Sequence, residues 1–151
     1  MKFIVVNLLV ILSVCLLQPL VAEGYWVRAV VTAYSPHDAI DGEYHLTKGK
    51  DRWRTASMVD VREHVYGVAV PHDGSGRPLV PYGSRIFIPL GHGYLDESRA
   101  DDRWFAADDT GGMITSRTRD TKVIHIDLRY RTEYSAKQFG RQEMDVYILL
   151  D

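Results

Sequence analysis

The sequence VIHIDL occupies residues 123–128, and its side chains alternate between two kinds. Successive residues of a β-strand point to opposite faces of the sheet. One face of this segment carries three aliphatic residues, Ile124, Ile126 and Leu128. The other face carries Val123, His125 and Asp127, and aspartate is uncommon inside strands. We predict a strand that packs its aliphatic face on a core and turns His125 and Asp127 toward the outer surface or a cleft.

The rest of the chain is also rich in strand-forming residues. Runs of β-branched and aromatic residues, bounded by proline, glycine and aspartate, predict six strands. They cover residues 26–34, 65–70, 84–88, 103–107, 122–128 and 144–150. A single helix is predicted at residues 133–139, with Thr132 as its N-cap and Gly140 after its last turn. Residues 36–64 are polar and predict a long loop. The fold class is all-β with one short helix, either a small closed barrel or a sandwich.

The N-terminal residues 1–22 have the pattern of a secretory signal peptide. They begin with the basic Lys2, continue as a short apolar run and end at Ala22. The run is too short for a membrane span. Lipidation at Cys15 is the alternative, although Val14 is unfavourable directly before a lipidated cysteine. We expect cleavage after Ala22 and one secreted domain at 23–151, in the periplasm, the cell envelope or the extracellular space.

The composition argues against several classes of partner and cofactor. The chain has 18 basic and 20 acidic residues, a net charge of −2 that becomes more negative without Lys2. A nucleic-acid partner would require a strongly basic face. The six histidines are scattered and the only cysteine is Cys15, so no zinc ligand set is formed. Phosphate-binding glycine motifs are absent from the sequence. We therefore expect no nucleic acid, no metal and no cofactor.

A second informative segment reads ADDTGG at residues 107–112. Its paired glycines, Gly111 and Gly112, permit backbone angles that other residues avoid, and they let backbone N–H groups approach a ligand closely. An ordinary turn is the alternative, since aspartate, threonine and glycine are common in turns. Asp109 and Thr110 stand directly before the glycines, so this segment is a candidate site.

Together these segments resemble the three-aspartate (3D) domain of stationary-phase-survival proteins, which also ends membrane-bound lytic transglycosylase A. The likeness spans Val27 to Leu149. The matching segments are Thr32-Ala33-Tyr34, residues 67–70 (GVAV), 80–89 (VPYGSRIFIP), 107–114 (ADDTGGMI), 126–128 (IDL), Ala136, Phe139-Gly140 and 146–149 (VYIL).

The resemblance implies a fold, a substrate and an activity. The implied fold is a six-stranded double-psi β-barrel. The implied activity is cleavage of peptidoglycan glycan strands without water, which leaves a 1,6-anhydro sugar. In this scheme Asp127 matches the catalytic acid and Asp109 its neighbouring carboxylate. Candidate substrate-binding residues are Asp73, Thr110, Gly111, Gly112 and His125.

The chain departs from the family pattern in three places. One of them is the long loop 36–64. Pro71 stands where the family has its first aspartate, and Asp73 is the nearest replacement. The segment 113–125 is longer than in the family and adds Arg117, Arg119 and Lys122; we expect a solvated loop there, with binding of an anionic glycan as the alternative. Two other functions therefore stay open: a non-catalytic wall-binding barrel, and a glycosidase that uses both carboxylates and water.

Overall fold

A computed structural model of the chain describes residues 23–36, 54–64, 67–90 and 103–151. The predicted signal peptide and part of the predicted long loop lie outside these residues. In chain order the elements are β1 (Gly24–Tyr34), β2 (Gly67–Val70), β3 (Arg85–Phe87), β4 (Trp104–Thr110), α1 (Gly112–Thr121), β5 (Ile124–Arg129), α2 (Glu133–Phe139) and β6 (Gln142–Leu149).

The six strands form one closed barrel in the order β1-β5-β2-β4-β3-β6. Two pairs are parallel, β1 with β5 and β2 with β4, and the other four are antiparallel. If β1, β2 and β3 change places with β4, β5 and β6, the same strands are neighbours. The two halves of the chain therefore take equivalent places in the barrel. The all-β barrel prediction is confirmed, and the sandwich alternative is wrong because the sheet closes and leaves no open edge.

The barrel interior is filled by aliphatic side chains, including those of β5. Ile126 and Leu128 are both fully buried in the same core cluster as Val31, Val68 and Ile148. Each such side chain stabilises the fold by about 1.5–3 kcal/mol relative to an exposed position. The predicted inward face of β5 is confirmed, and it places Asp127 on the opposite face.

The segment after β4 differs from the expected loop, because α1 spans Gly112–Thr121. Ile114 is its only buried residue, and no side chain caps its N-terminus. An apolar stripe and a cap are the usual sequence signals of a helix, and both are missing here. Tertiary hydrogen bonds hold the helix instead: Thr115 Oγ1 accepts from the His72 backbone N–H at 2.9 Å, and Thr118 Oγ1 accepts from that of His125 at 2.9 Å.

The second helix, α2, agrees with the sequence prediction. Thr132 Oγ1 accepts a hydrogen bond from the Ser135 backbone N–H at 3.1 Å, as an N-cap residue does. Gly140 ends the helix at a φ of 67°, which is the left-handed region that favours glycine. The helix packs on β1.

Candidate active site

Asp127 and Asp109 lie on either side of Ala69. Ala69 in β2 pairs with Asp127 of β5 on one side and with Asp109 of β4 on the other. Paired residues of neighbouring strands project to the same face, and neighbouring strands are about 4.8 Å apart. The small side chain between them leaves the two carboxyl groups as neighbours across a single strand.

The strand β4 runs further than the sequence predicted, and it contains a bulge at the site. Val68 pairs with Ala107, but Ala69 pairs with Asp109, so Asp108 is the extra residue. A bulge interrupts the strict alternation of a strand and changes the direction in which its side chains project. The candidate segment 107–112, for which an ordinary turn was the alternative, therefore carries two buried aspartates, with Asp108 5% and Asp109 7% exposed.

Asp127 is half-buried, and its environment favours the protonated form. Its Oδ1 accepts a hydrogen bond from Thr32 Oγ1 at 2.9 Å, across the β1–β5 pair. Burial raises the pKa of Asp127 above its ordinary value, and the negative charge of Asp109 adds to this shift. The Thr32 hydrogen bond and the positive charge of Arg117 oppose it. A carboxyl group with a raised pKa can donate a proton closer to neutral pH than an ordinary aspartate.

Asp109 is fixed in place by three donors. Its Oδ1 accepts from the backbone N–H groups of Ala56 and Thr110, each at 2.9 Å. Its Oδ2 accepts from the Tyr34 hydroxyl at 3.3 Å. The Ala56 contact brings the described end of the predicted long loop, residues 54–64, to Asp109. The loop therefore helps to orient the second carboxylate.

A buried ion pair that sequence reasoning missed involves Asp108, the residue before Asp109. Arg129 is fully buried, and its guanidinium donates to Asp108 Oδ1 at 2.5 Å and to Oδ2 at 3.0 Å. Burial raises the pKa of Asp108, and the guanidinium opposes that shift. Arg129 follows the IDL segment and continues the alternation of His125 and Asp127, so the pattern contained a signal for its direction. Nothing in that pattern identified Asp108 as the partner of Arg129.

Tyr34 connects the ion pair to one of the two candidate carboxylates, Asp109. Its hydroxyl accepts a hydrogen bond from Arg129 Nε at 3.0 Å and donates to Asp109. Burial raises the pKa of Tyr34 well above its ordinary value, so the hydroxyl stays protonated as a donor. A continuous chain of hydrogen bonds thus runs from Arg129 through Tyr34 to Asp109.

The paired glycines lie at the start of α1 instead of in a turn. Gly111 is the N-cap residue in an extended conformation, with a φ of −131°, and Gly112 begins the helix. Neither has a positive φ, so this pair does not use the backbone angles that glycine permits. Thr110 is the last residue of β4, opposite Val70. The three residues border the site next to Asp109.

Asp73 and His125 occupy different surroundings from the two central carboxylates. Asp73 is exposed, and its Oδ1 accepts from the Ser75 and Arg77 backbone N–H groups at 2.8 and 3.3 Å, which closes its own turn. His125 is 3% exposed and contacts Thr121 Oγ1 through Nε2 at 3.2 Å. Helix α1 covers this part of β5, so the outward face of the strand is not a solvated surface.

An open groove of about 650 Å³ adjoins Thr32, the residue that holds Asp127. Its walls come from the end of β1, from α1 and from α2. The charged residues along it are Arg117, Glu133, Lys137 and Arg141.

Comparisons with known proteins give no further identification. No family model matches the chain, and no curated protein shows significant sequence similarity to it. The likeness to the three-aspartate domain stays a prediction from motifs. Among the residues that the structure describes, no helix has the length and apolar character needed to cross a membrane. Within the same ranges, no three His, Cys, Asp or Glu side chains are grouped as a metal site.

Proposed function

We propose that this protein cleaves the glycan strands of peptidoglycan in the manner of a lytic transglycosylase, outside the cytoplasm, with Asp127 as acid and base. The proposal is carried by one observation: Asp127, whose pKa is raised by burial and by Asp109, lies opposite Asp109 across Ala69. The motif likeness to the three-aspartate domain supports the choice of substrate.

The chemistry needs one proton donor that later becomes an acceptor. Protonated Asp127 gives its proton to the glycosidic oxygen as the bond from that oxygen to the sugar C1 breaks. The Asp127 carboxylate then takes the proton of the 6-hydroxyl of the same sugar, whose oxygen bonds to C1. The products are a chain with a free hydroxyl and a 1,6-anhydro end, and no water is consumed.

Asp109 has two tasks in this scheme. Its charge helps to keep Asp127 protonated before the reaction, and it stabilises the positive charge that develops at C1. The three donors around Asp109 hold that carboxylate still, which is the usual requirement for electrostatic stabilisation. General acid–base catalysis of this kind contributes roughly 10²- to 10⁴-fold to a rate.

The test is incubation of purified peptidoglycan with the wild type and with Asp127→Asn, followed by mass spectrometry of the soluble products. We expect 1,6-anhydro ends from the wild type and a loss of at least roughly 10²-fold in the variant. Reducing ends, heavier by one water, would instead support a two-carboxylate hydrolase. Release of neither product would contradict the enzyme proposal.

A wall-binding barrel is the second candidate, and Pro71 is the observation that favours it. Pro71 is buried at the place of the family's first aspartate, where it supplies only a backbone carbonyl, to the Leu79 N–H at 2.8 Å. Sedimentation with insoluble peptidoglycan separates this candidate from a protein of unrelated function. Binding that is equal for the wild type and Asp127→Asn, without soluble products, would support it.

A further inference from the structure

The groove next to Asp127 concentrates positive charge on a protein that is acidic overall. Three cationic side chains line it, Arg117, Lys137 and Arg141, against the single carboxylate of Glu133. The whole chain has a net charge of −2. The positive groove is therefore a local feature and does not follow from the average composition.

Among the residues that the structure describes, carboxylates do not neutralise all the charges of the groove. Lys137 forms an ion pair with Glu133, and Arg141 approaches the exposed Glu143 at 3.5 Å. In the described part of the chain, Arg117 has no carboxylate within ion-pair distance. Its guanidinium is exposed at the groove and acts on Asp127 through its charge. An arginine in this situation can receive a planar anion through two parallel hydrogen bonds.

The position of the groove relates it to the proposed chemistry. Thr32 and Tyr34 both line the groove, and Thr32 also donates a hydrogen bond to the Asp127 carboxyl. A glycan that reaches Asp127 can therefore lie along the groove and place a substituent beside Arg117. The helix α1 supplies this arginine, and α1 is the segment that is longer than in the three-aspartate family.

We propose that the groove is a subsite for a carboxylate carried by the glycan, in which Arg117 receives the carboxylate and Lys137 and Arg141 supply the surrounding positive potential. This inference rests on the proposed function, because it names the class of substrate for the same site. The glycan chemistry that it requires is a sugar strand with free carboxylates on its substituents.

Occupation of the subsite also has a consequence for the acid. Free Arg117 holds the pKa of Asp127 lower than burial and Asp109 would set it. A bound carboxylate compensates that positive charge. Binding of the correct strand then favours protonated Asp127 at the moment when the proton is needed.

The experiment measures binding separately from turnover, in the Asp127→Asn background so that strands stay intact. The probes are soluble peptidoglycan strands with native carboxylates, and the same strands after conversion of the carboxylates to amides. Calorimetric titrations give the Kd of each probe for Asp127→Asn alone, with Arg117→Gln added, and with Arg119→Gln added. Arg119 is the matched control, because it lies on the same helix, pairs with Asp120 and does not line the groove.

We expect amidation to raise the Kd roughly tenfold, and Arg117→Gln to raise it to a similar extent for native strands. Amidation should then have little further effect on the Arg117→Gln protein. Arg119→Gln should change the Kd less than about twofold. Equal effects of the two arginine variants, no effect of amidation, or no measurable binding of native strands would overturn the subsite.

The two proposals fail in different ways. If wild-type protein forms no anhydro ends while Arg117-dependent binding persists, the enzyme proposal fails and the carboxylate subsite stands. If anhydro ends form but amidated and native strands bind equally, the subsite fails and the enzyme proposal stands.

Discussion

Arg129 and Asp108 form an ion pair that passes over β2 at Gly67. The two residues belong to β5 and β4, which are separated by β2 in the barrel. A β-carbon added at Gly67 would overlap the Asp108 carboxylate. The absence of a side chain at residue 67 therefore makes room for the pair, and the pair in turn supports Tyr34 and Asp109.

The first prediction concerns Gly67. We expect Gly67→Ala to lower the free energy of unfolding by about 1–3 kcal/mol, because the added methyl group displaces the Asp108 carboxylate from Arg129. Gly112→Ala is the matched control, since a β-carbon there meets nothing within 4 Å, and we expect it to change stability by less than about 1 kcal/mol. Urea denaturation of both variants checks this. Equal stability of the two would contradict the crossing described above.

The second prediction concerns the ion pair itself. Arg129→Met leaves the buried Asp108 carboxylate without its partner, which typically costs about 3–5 kcal/mol. Adding Asp108→Asn removes the unpaired charge and should restore part of that loss. A double-mutant cycle from denaturant unfolding measures the coupling. Simple additivity of the two substitutions would show that the pair does not stabilise the fold as a unit.

The third prediction concerns Tyr34. Tyr34→Phe removes a donor from Asp109 and an acceptor from Arg129, so we expect a loss of about 1–3 kcal/mol in stability. If the proposed function holds, kcat should fall roughly tenfold with little change in KM, because Asp109 is less firmly oriented. Tyr25→Phe, at a residue that is 44% exposed, is the control. A change in KM alone would argue against a positioning role.

The fourth prediction tests the raised pKa of Asp127 through the pH dependence of folding stability. Burial raises this pKa in the folded state, whereas in the unfolded chain it has its ordinary value of about 3.9. Between these two values the folded protein holds a proton that the unfolded chain has released, so stability falls as the pH rises through the window. Asp127→Asn does not titrate, and its stability relative to the wild type should increase over that window. Parallel stability curves for the two proteins between pH 3 and pH 8 would contradict a raised pKa.

The fifth prediction concerns the pH dependence of cleavage. Burial raises the pKa of Asp127. The hydrogen bond from Thr32 of β1 and the charge of Arg117 from α1 lower it, and the charge of Asp109 from β4 raises it. Removal of the positive charge in Arg117→Gln should therefore raise the pKa of Asp127 in the protein without bound substrate. The upper limb of the kcat/KM profile, where the acid loses its proton, should move to higher pH. Arg119→Gln should leave the limb in place, and a shift to lower pH in Arg117→Gln would be the opposite of this expectation.

Local patterns were sufficient for much of the fold. The strands and α2 were predictable because alternation, β-branched residues, the Thr132 cap and Gly140 are signals within a few residues of the element they define. Helix α1 was not predictable in this way. It buries only Ile114, and hydroxyl groups that bond to His72 and His125 hold it in place. The partner that stabilises it lies outside its own segment.

The candidate site was predictable in part for the same reason. Asp127 stood out because an aspartate interrupts a strand with one aliphatic face, and Asp109 stood out within its motif. The number of residues between them does not tell how close the two side chains lie in space. Only the pairing of β4 and β5 with the same residue, Ala69, makes them neighbours.

The sequence by itself determined the strand content and the inward face of β5, and it singled out the two candidate carboxylates, because these depend on alternation and on residue type. The tertiary structure decided three other features: the Arg129–Asp108 pair over Gly67, the Tyr34 link to Asp109, and the positive groove that Arg117 shares with α2. Each joins residues from separate elements. Their contact follows from the order in which the strands close the barrel, and barrel closure is a property of the whole chain.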